Sequence, residues 1–405
     1  MQHTQRERLG LTPVFSPNSD LFFSSEYKTV SGKGISQTIT TPAINGDQRQ
    51  SAFQQKIQQA FADEKAKGVE NPILMGSIPF DVSEPSCLYM PESVEVTEHN
   101  VTMRESNGLL AREPLQILAK RSEPDESVFK HAVTQAVKKF QCTELEKAVL
   151  SRVLNLELSD AISADDVLAR LIKQNPTGFH FAIPQSDQSV LLGASPELLI
   201  RQQGTSILSN PLAGSAKRQG NTEADRQVSD ALLKSVKDRY EHRLVIEEIA
   251  QQLTPYCRDL DVPDGPSLIS TPTMWHLSTR IEGQLNSLVD ENGKPLNYNV
   301  LQLACLLHPT PAVCGFPFTL SRDAINELEV YERGMFTGMV GWCDSHGNGE
   351  WAVTIRCGKV RENSVRLFAG AGIVDASCPQ AEWAETEAKL GTMLNAFGLG
   401  EKGAA

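Results

Sequence analysis

A chain of 405 residues, 40% apolar and 22% charged, can bury a large core and has the composition of a folded globule, which excludes wholesale disorder. A formal charge of −12 argues against nucleic acid or an anionic membrane surface as main partner; an acidic small molecule could bind only where cations or a metal gather locally. No apolar run approaches the roughly 18–20 residues of a membrane-spanning helix, and none near the N-terminus is long enough for a secretion signal.

Residues 1–45 are rich in Ser, Thr and Pro with little period beyond Leu21-Phe22-Phe23, and the first few are expected to fray. The spacing of Phe53, Ile57, Ala60 and Phe61 predicts an amphipathic helix over 53–67, followed by a buried strand at 72–76. Residues 81–123 mix short strand-like pieces with turns. After Pro124 a helix carries Phe129, Ala132, Val133, Ala136, Val137 and Phe140 on one face. Lys147 opens a β-type run over 148–158, and Ser163 caps a further helix. Strands are predicted at 179–183 and 189–201, then one long helix over 224–253. Beyond it the chain reads as strands at 273–281, 338–342, 351–357 and 365–368, closed by a helix over 379–397. Strands outnumber helices without βαβ alternation or a solenoid repeat, so the class predicted is α+β with large antiparallel sheets. The eight cysteines, Cys87, Cys142, Cys257, Cys305, Cys314, Cys343, Cys357 and Cys378, show neither C-x-x-C nor zinc spacing. Scattered thiols suit a reducing, cytoplasmic compartment, in which the Asn100-Val101-Thr102 sequon has no meaning.

Several segments carry candidate chemistry. In the last helix, at about 100° per residue, Glu382, Glu385 and Lys389 fall within roughly 60° of one another. They lie along the edge of an apolar face made by Trp383, Leu390, Met393, Leu394 and Phe397. On periodicity alone a solvated i,i+4 Glu–Lys pair accounts for them. Glu241 shares a face with Lys237, Leu244 and Val245, and a half-buried carboxylate there needs a partner or a metal. Carboxylates from two helices suit a hard cation such as Mg2+, which takes one or two of them and keeps several waters. Gly370-Ala371-Gly372 predicts a tight, anion-accepting turn before the last helix; Asp375 stands where a dinucleotide fingerprint needs its third glycine.

Glu197 follows a Pro196 bend within an apolar strand. It either caps a turn or, if buried, is a carboxyl able to donate a proton near neutrality. Lys147 is by default a solvated strand-end lysine and, if desolvated, a base. His308 to Ala312 and Gly315 to Pro317 form a proline-fixed loop, and His276 lies in a strand-like stretch; either histidine, seen alone, is more often structural than catalytic.

Taken together the motifs fit one family. Lys147-Ala-Val-Leu-Ser-Arg152, Gly193-Ala-Ser-Pro-Glu-Leu-Leu199, Pro211-Leu-Ala-Gly-Ser-Ala-Lys-Arg218 and Lys237-Asp-Arg-Tyr-Glu-His242 resemble, in order, motifs of the chorismate-utilising enzymes. So do His308-Pro-Thr-Pro-Ala312, Ile355-Arg356-Cys357, Ala369-Gly-Ala-Gly-Ile373 and Glu382-Trp-Ala-Glu-Thr386, the set spanning roughly residues 140–398. Within the family the chain most resembles the isochorismate synthases of enterobactin-type catecholate siderophore pathways. That likeness reaches the N-terminal third through Pro42-Ala-Ile-Asn-Gly-Asp47, Gly76-Ser-Ile-Pro-Phe-Asp81 and Leu88-Tyr-Met-Pro-Glu92.

The resemblance implies one α+β unit of two large antiparallel sheets flanked by helices. Residues 1–130 would contribute to the same globule as a chorismate-binding catalytic region at 131–398. It implies Mg2+ on Glu241 and Glu385, with Glu382 nearby, and Arg356 on the enolpyruvyl carboxylate of chorismate. Gly214, Ser215, Gly370 and Gly372 would make close backbone contacts, Lys389 would add positive charge, and His276, Ala312 and Phe336 would flank the substrate. Lys147 would be the base for a water attacking C2, and Glu197 the acid for the C4 hydroxyl, in a monomer without nucleic-acid or membrane partners.

Other branches fit less well. Salicylate synthases, which go on to expel pyruvate, tend to carry a hydroxyl residue where this chain has Ala312, and Phe336 suits the isochorismate group better than tyrosine would. For the ammonia-using synthases the N-terminal third lacks the expected likeness; Lys147 disfavours the anthranilate branch but not the aminodeoxychorismate one. A non-catalytic chorismate-binding protein would be expected to lose Lys147 or Glu197, and both are present.

Overall fold

The computed structural model describes residues 20–98, 115–289, 295–296 and 298–400; the first residues, expected to fray, and the Asn100 sequon lie outside these. Its longest strands, Lys147–Leu158 and Ser364–Ile373, pair antiparallel at the heart of a ten-stranded sheet. On one side of this pair lie Gly315–Phe316 and Ile117–Glu123. On the other come Cys357–Arg361, Val190–Ser195, Phe179–Pro184, Leu21–Ser24, Lys28–Lys33 and Ser93–Glu98. A nine-stranded sheet runs in the order Cys257–Asp261, Ile281–Leu285, Ser206–Asn210, Leu198–Gln203, Gly349–Val353, Met339–Asp344, Ile73–Ile78, Cys87–Met90, Gln37–Ile39. A three-stranded sheet joins Leu212–Lys217, Met274–Ser278 and Ser267–Ser270. The ladders of all three sheets are antiparallel, as the α+β reading expects.

Apolar residues on both faces of each large sheet dictate the layering. Phe23, Phe181, Leu191 and Phe368 of the ten-stranded sheet meet Met75, Tyr89, Val340 and Trp342 of the nine-stranded one. Helices α1 (Ala52–Ala66), α5 (Val236–Leu253) and α6 (Val300–Leu307) cover the outer face of the nine-stranded sheet through Phe53, Ile57, Val245, Ile249 and Leu301. Helices α2 (Glu126–Cys142), α3 (Ala164–Gln174) and α8 (Pro379–Ala396) cover the other outer face through Phe129, Val133, Leu168, Leu171, Leu390 and Phe397. Each such side chain contributes about 1.5–3 kcal/mol of burial free energy. Strands from the first hundred residues pair into both large sheets, Leu21–Ser24 with Phe179–Pro184 and Ile73–Ile78 with Met339–Asp344. No described helix is long and apolar enough to cross a membrane.

Several expectations are corrected. The 224–253 helix is two helices, α4 (Thr222–Lys234) and α5, because Ser235 turns to ψ 119 and its side chain caps α5 at Asp238 N. The runs 189–201, 273–281 and 351–357 are each broken, their halves belonging to different sheets. An apolar run buried on both faces looks the same whether it serves one sheet or crosses between two. Gly370 to Gly372 lie inside the Ser364–Ile373 strand, paired with Ser151 to Val149, and form no turn. Strands Lys28–Lys33 and Gln37–Ile39, and helices α6 and α7 (Phe318–Leu328), have no counterpart in the sequence reading. α6 is apolar almost all round and shows no period; its start is marked by an Asn299–Gln302 capping box.

Candidate active site

The places where the chain passes between sheets converge on one cavity of about 610 Å3, open solvent at its mouth included. Pro196 and Glu197 join Val190–Ser195 to Leu198–Gln203, and residues 354–356 join Gly349–Val353 to Cys357–Arg361. A loop where strands diverge presents side chains that neither sheet consumes in pairing, which is why Glu197 and Arg356 face the cavity. Gly214, Ser215 and His276 reach it from the three-stranded sheet, Gly370 and Gly372 from the long strand, Glu241 from α5, and Glu385 and Lys389 from α8. Ala312 and Phe336 close another wall. Of the residues singled out in sequence, Lys147, Glu382 and His308 lie outside this lining, His308 with its Nε2 3.2 Å from the Phe80 carbonyl.

Lys147 is fully buried, not a solvated strand-end lysine, and its Nζ stands 2.9 Å from Glu241 Oε1. The strand beside it leaves room for that pair only because residue 372 is glycine. A Cβ there would lie 3.1 Å from Lys147 Cε and inside the contact distance of Glu241 Oε1. Gly372→Ala is therefore expected to lower stability by about 1–3 kcal/mol, as overpacking does. Urea unfolding checks this, and an unchanged midpoint would contradict it.

Burial alone pushes the Glu197 carboxyl up to about 7, against the opposing pull of the Leu212 N–H and the charges of Lys147, Arg356 and Lys389. The Leu212 N–H donates to Glu197 Oε1 at a long 3.4 Å, so the carboxyl is left nearly without donors. Glu241 is as deeply buried, yet its carboxyl sits below the usual value. There burial is outweighed by Lys147, through charge and contact, and by the charges of Lys237 and Lys389. Two buried glutamates of one centre are thus shifted in opposite directions, one toward keeping its proton and the other toward losing it.

Arg356 takes φ +49, in the left-handed region, where a non-glycine residue carries strain of order 1–3 kcal/mol. Its guanidinium is buried and its Nε has no hydrogen-bond partner. Burial lowers its pKa to about 10, opposed by Glu385 and Glu197, which leaves it cationic near neutrality. Arg356 Nη2 lies 3.4 Å from His276 Nε2, and His276 Nδ1 lies 3.0 Å from Ser215 Oγ. Burial, with Arg356 and Lys389, drives the His276 pKa well below its ordinary value, so the ring is neutral. On α8, Lys389 Nζ contacts Glu385 Oε1 at 2.6 Å and donates to the Gly370 carbonyl at 2.8 Å. A buried cation with an idle donor, a second cation and a protonated acid in one cavity suit an anionic ligand that receives a proton.

The profile of the family described as chorismate binding enzymes matches residues 88–398. The chain belongs to that family. It is 46% identical over 386 residues to isochorismate synthase EntC of Escherichia coli K12, covering 95% of this chain and 96% of that one. It is 39% identical over 407 residues to isochorismate synthase DhbC of Bacillus subtilis, covering 98% of each. The crystal structure of DhbC from Bacillus anthracis, assigned as 2,3-dihydroxybenzoate-specific isochorismate synthase, matches with a TM-score of 0.85 at 40% identity, covering 95% of this chain and 97% of that one.

Chorismate, which gives this family its description, is a dianion, and the cations of the cavity are of the opposite charge. Its carboxylates bear on the metal expectation. Among the described residues no three His, Cys, Asp or Glu side chains converge as a ready ligand set. Instead Lys147 meets Glu241, Lys389 meets Glu385, and Lys237 meets Glu382 at 2.9 Å. Glu382 is buried, and burial together with Glu385 pushes its carboxyl up to about 7. Mg2+ asks only one or two protein carboxylates, and Glu241 and Glu385 present theirs to the cavity from facing helices. The donor set therefore fits the ion, while Glu382 lies outside the lining and is held by Lys237.

The sequence reading passed over Phe368, Thr337 and Val313, which also line the cavity. Phe336 and Phe368 stack at 5.2 Å and 13°. A strand period of two would have found Phe368, since 368, 370 and 372 share one face; the turn reading of the glycines concealed it. Thr337, at φ +59, has no such signal.

Proposed function

We propose that this protein is an isochorismate synthase, adding water at C2 of chorismate and releasing the C4 hydroxyl in a reversible, Mg2+-dependent reaction. The observation that carries the reading is the buried Glu197, nearly without hydrogen-bond donors, lining the same cavity as Glu241, Arg356 and Lys389, with Lys147 against Glu241. Glu241 and Glu385 would hold Mg2+, which when bound would supply positive charge for the ring carboxylate. Arg356 takes the enolpyruvyl carboxylate, its idle Nε–H being one of the donors a planar anion needs. Lys147 would serve as the base that takes a proton from the water whose oxygen bonds to C2. The ring double bonds shift, the C4–O bond breaks, and Glu197 gives its proton to the departing hydroxyl, which leaves as water. Atoms balance, and no electrons are gained or lost. The apolar wall of Ala312, Val313, Phe336 and Phe368 packs the ring and offers no group to carry off the enolpyruvyl chain. The product would serve 2,3-dihydroxybenzoate and catecholate siderophore synthesis, and the enzyme would act as a cytoplasmic monomer.

Incubation with chorismate and Mg2+, followed by chromatography of the products, tests this. Isochorismate is expected without stoichiometric pyruvate and without added ammonia; turnover stops with EDTA and returns with Mg2+. Salicylate with equimolar pyruvate, an ammonia requirement, or no turnover would each overturn the reading.

A further inference from the structure

Behind the cavity wall lies a buried ion pair that the proposed chemistry does not use. Glu329 caps the C-terminal end of α7 and Arg333 stands four residues further on, in the segment that follows the helix; their side chains are only 4% and 3% exposed. Glu329 takes both Arg333 Nε, at 2.8 Å, and Nη2, at 2.6 Å. The remaining donors go to Val149 O (2.6 Å), Val313 O (2.8 Å) and Thr337 Oγ1 (3.2 Å). An arginine has five N–H donors, and all five are engaged. Glu329 Oε1 in turn accepts from Ser151 N at 2.8 Å and Ser151 Oγ at 2.6 Å.

The three acceptors outside the pair belong to different segments, and each of those residues lines the cavity. Val149 is two residues along the strand that Lys147 begins, Val313 follows Ala312, and Thr337 follows Phe336. The other end of α7 holds the same strand, since Ser321 Oγ donates to the Lys147 carbonyl at 2.8 Å. α7 thus holds the lysine's strand at Lys147 through Ser321 and at Ser151 through its cap Glu329, and the segment after it holds Val149 through Arg333. It ties that strand to the two segments facing the ring.

We propose that Arg333 is a positioning residue for the reaction: its bonds with Glu329 fix the Lys147 strand against the 308–314 loop and the Thr337 turn, and so set where the base stands relative to the ring. The inference rests on the isochorismate synthase reading. It does not involve Arg356, Lys389 or the carboxylates, so substrate anchoring is left alone while alignment suffers. Lysine cannot replace arginine here, because an ammonium has three donors on one atom and cannot span acceptors on three segments.

The test compares wild-type enzyme with Arg333→Lys and Glu329→Gln in steady-state kinetics, normalised to folded protein by circular dichroism. Misplacing a reacting group costs far more in turnover than in binding. Hence kcat is expected to fall by at least about tenfold in both variants while KM for chorismate changes less than about threefold. Charge-conserving lysine should not restore kcat. If either soluble variant keeps a kcat within about twofold of wild type per folded molecule, Arg333 is structural only and the proposal fails. Should Arg333→Lys not fold, Glu329→Gln carries the test, since glutamine keeps an acceptor and a side chain of the same shape. A wild-type control that makes no isochorismate would instead bring down the functional reading, and this inference with it.

Discussion

Lys147→Ala is expected to lower chorismate turnover by about 10²–10⁴-fold, the span a positioned general base contributes. The lysine has no solvent access through which bulk water could take over its task, and its Nζ is held at Glu241 Oε1, 2.9 Å away. Removing it also leaves Glu241 buried without its cation. Breaking a buried pair in this way costs about 3–5 kcal/mol unless another cation takes the place. The variant should therefore be less stable in EDTA than in Mg2+, while its kcat remains low in both. A variant that keeps kcat within about threefold of wild type would remove Lys147 from the chemistry.

Glu197→Gln should be as damaging for the opposite reason. The carboxyl is useful only while it keeps its proton, and burial holds its pKa at about 7. The sign follows directly. Below that value the acid is loaded, and as pH rises through about 7 the proton is lost and the carboxylate can no longer assist departure of the C4 hydroxyl. In the wild type kcat/KM, which reports the free enzyme, should fall on the alkaline side with an apparent pKa near 7. Glutamine keeps the shape and an acceptor for Leu212 N–H but has no proton to give, so the Glu197 limb should vanish along with most activity. A variant that retains both the limb and the rate would assign that titration to another group.

Much of this was legible in the sequence because the informative residues stand in short, chemically distinctive runs. The amphipathic spacing of Phe129 to Phe140 and the cap at Ser163 gave helices that the structure contains, and the run from Lys147 gave its longest strand. Nearly every residue singled out reaches one cavity. What could not be read was context. An apolar stretch such as 189–201 carries no mark of the point where it leaves one sheet for another, and those crossing points are where Glu197 and Arg356 gain their positions. α7 follows Pro309, Pro311 and Pro317, which read as a rigid loop and hid it even though its residues are at least as amphipathic as those of α2; it holds the Lys147 strand at two places. Burial was also beyond sequence. Lys147 and Glu241 read as edge residues, and only the packing of α5 against the Gly372 strand shows that both are interior. The same ambiguity made a turn of Gly370 to Gly372, whose lack of side chains serves close approach within a strand.

The central claim concerns the placing of base and acid about one ring, and a crystal structure of the enzyme with Mg2+ and isochorismate tests it most directly. The account predicts Lys147 Nζ directed to the C2 hydroxyl, Glu197 directed to C4 from across the ring, and the ring carboxylate on the ion held by Glu241 and Glu385. Isochorismate bound with C2 and C4 both remote from these two side chains would contradict it.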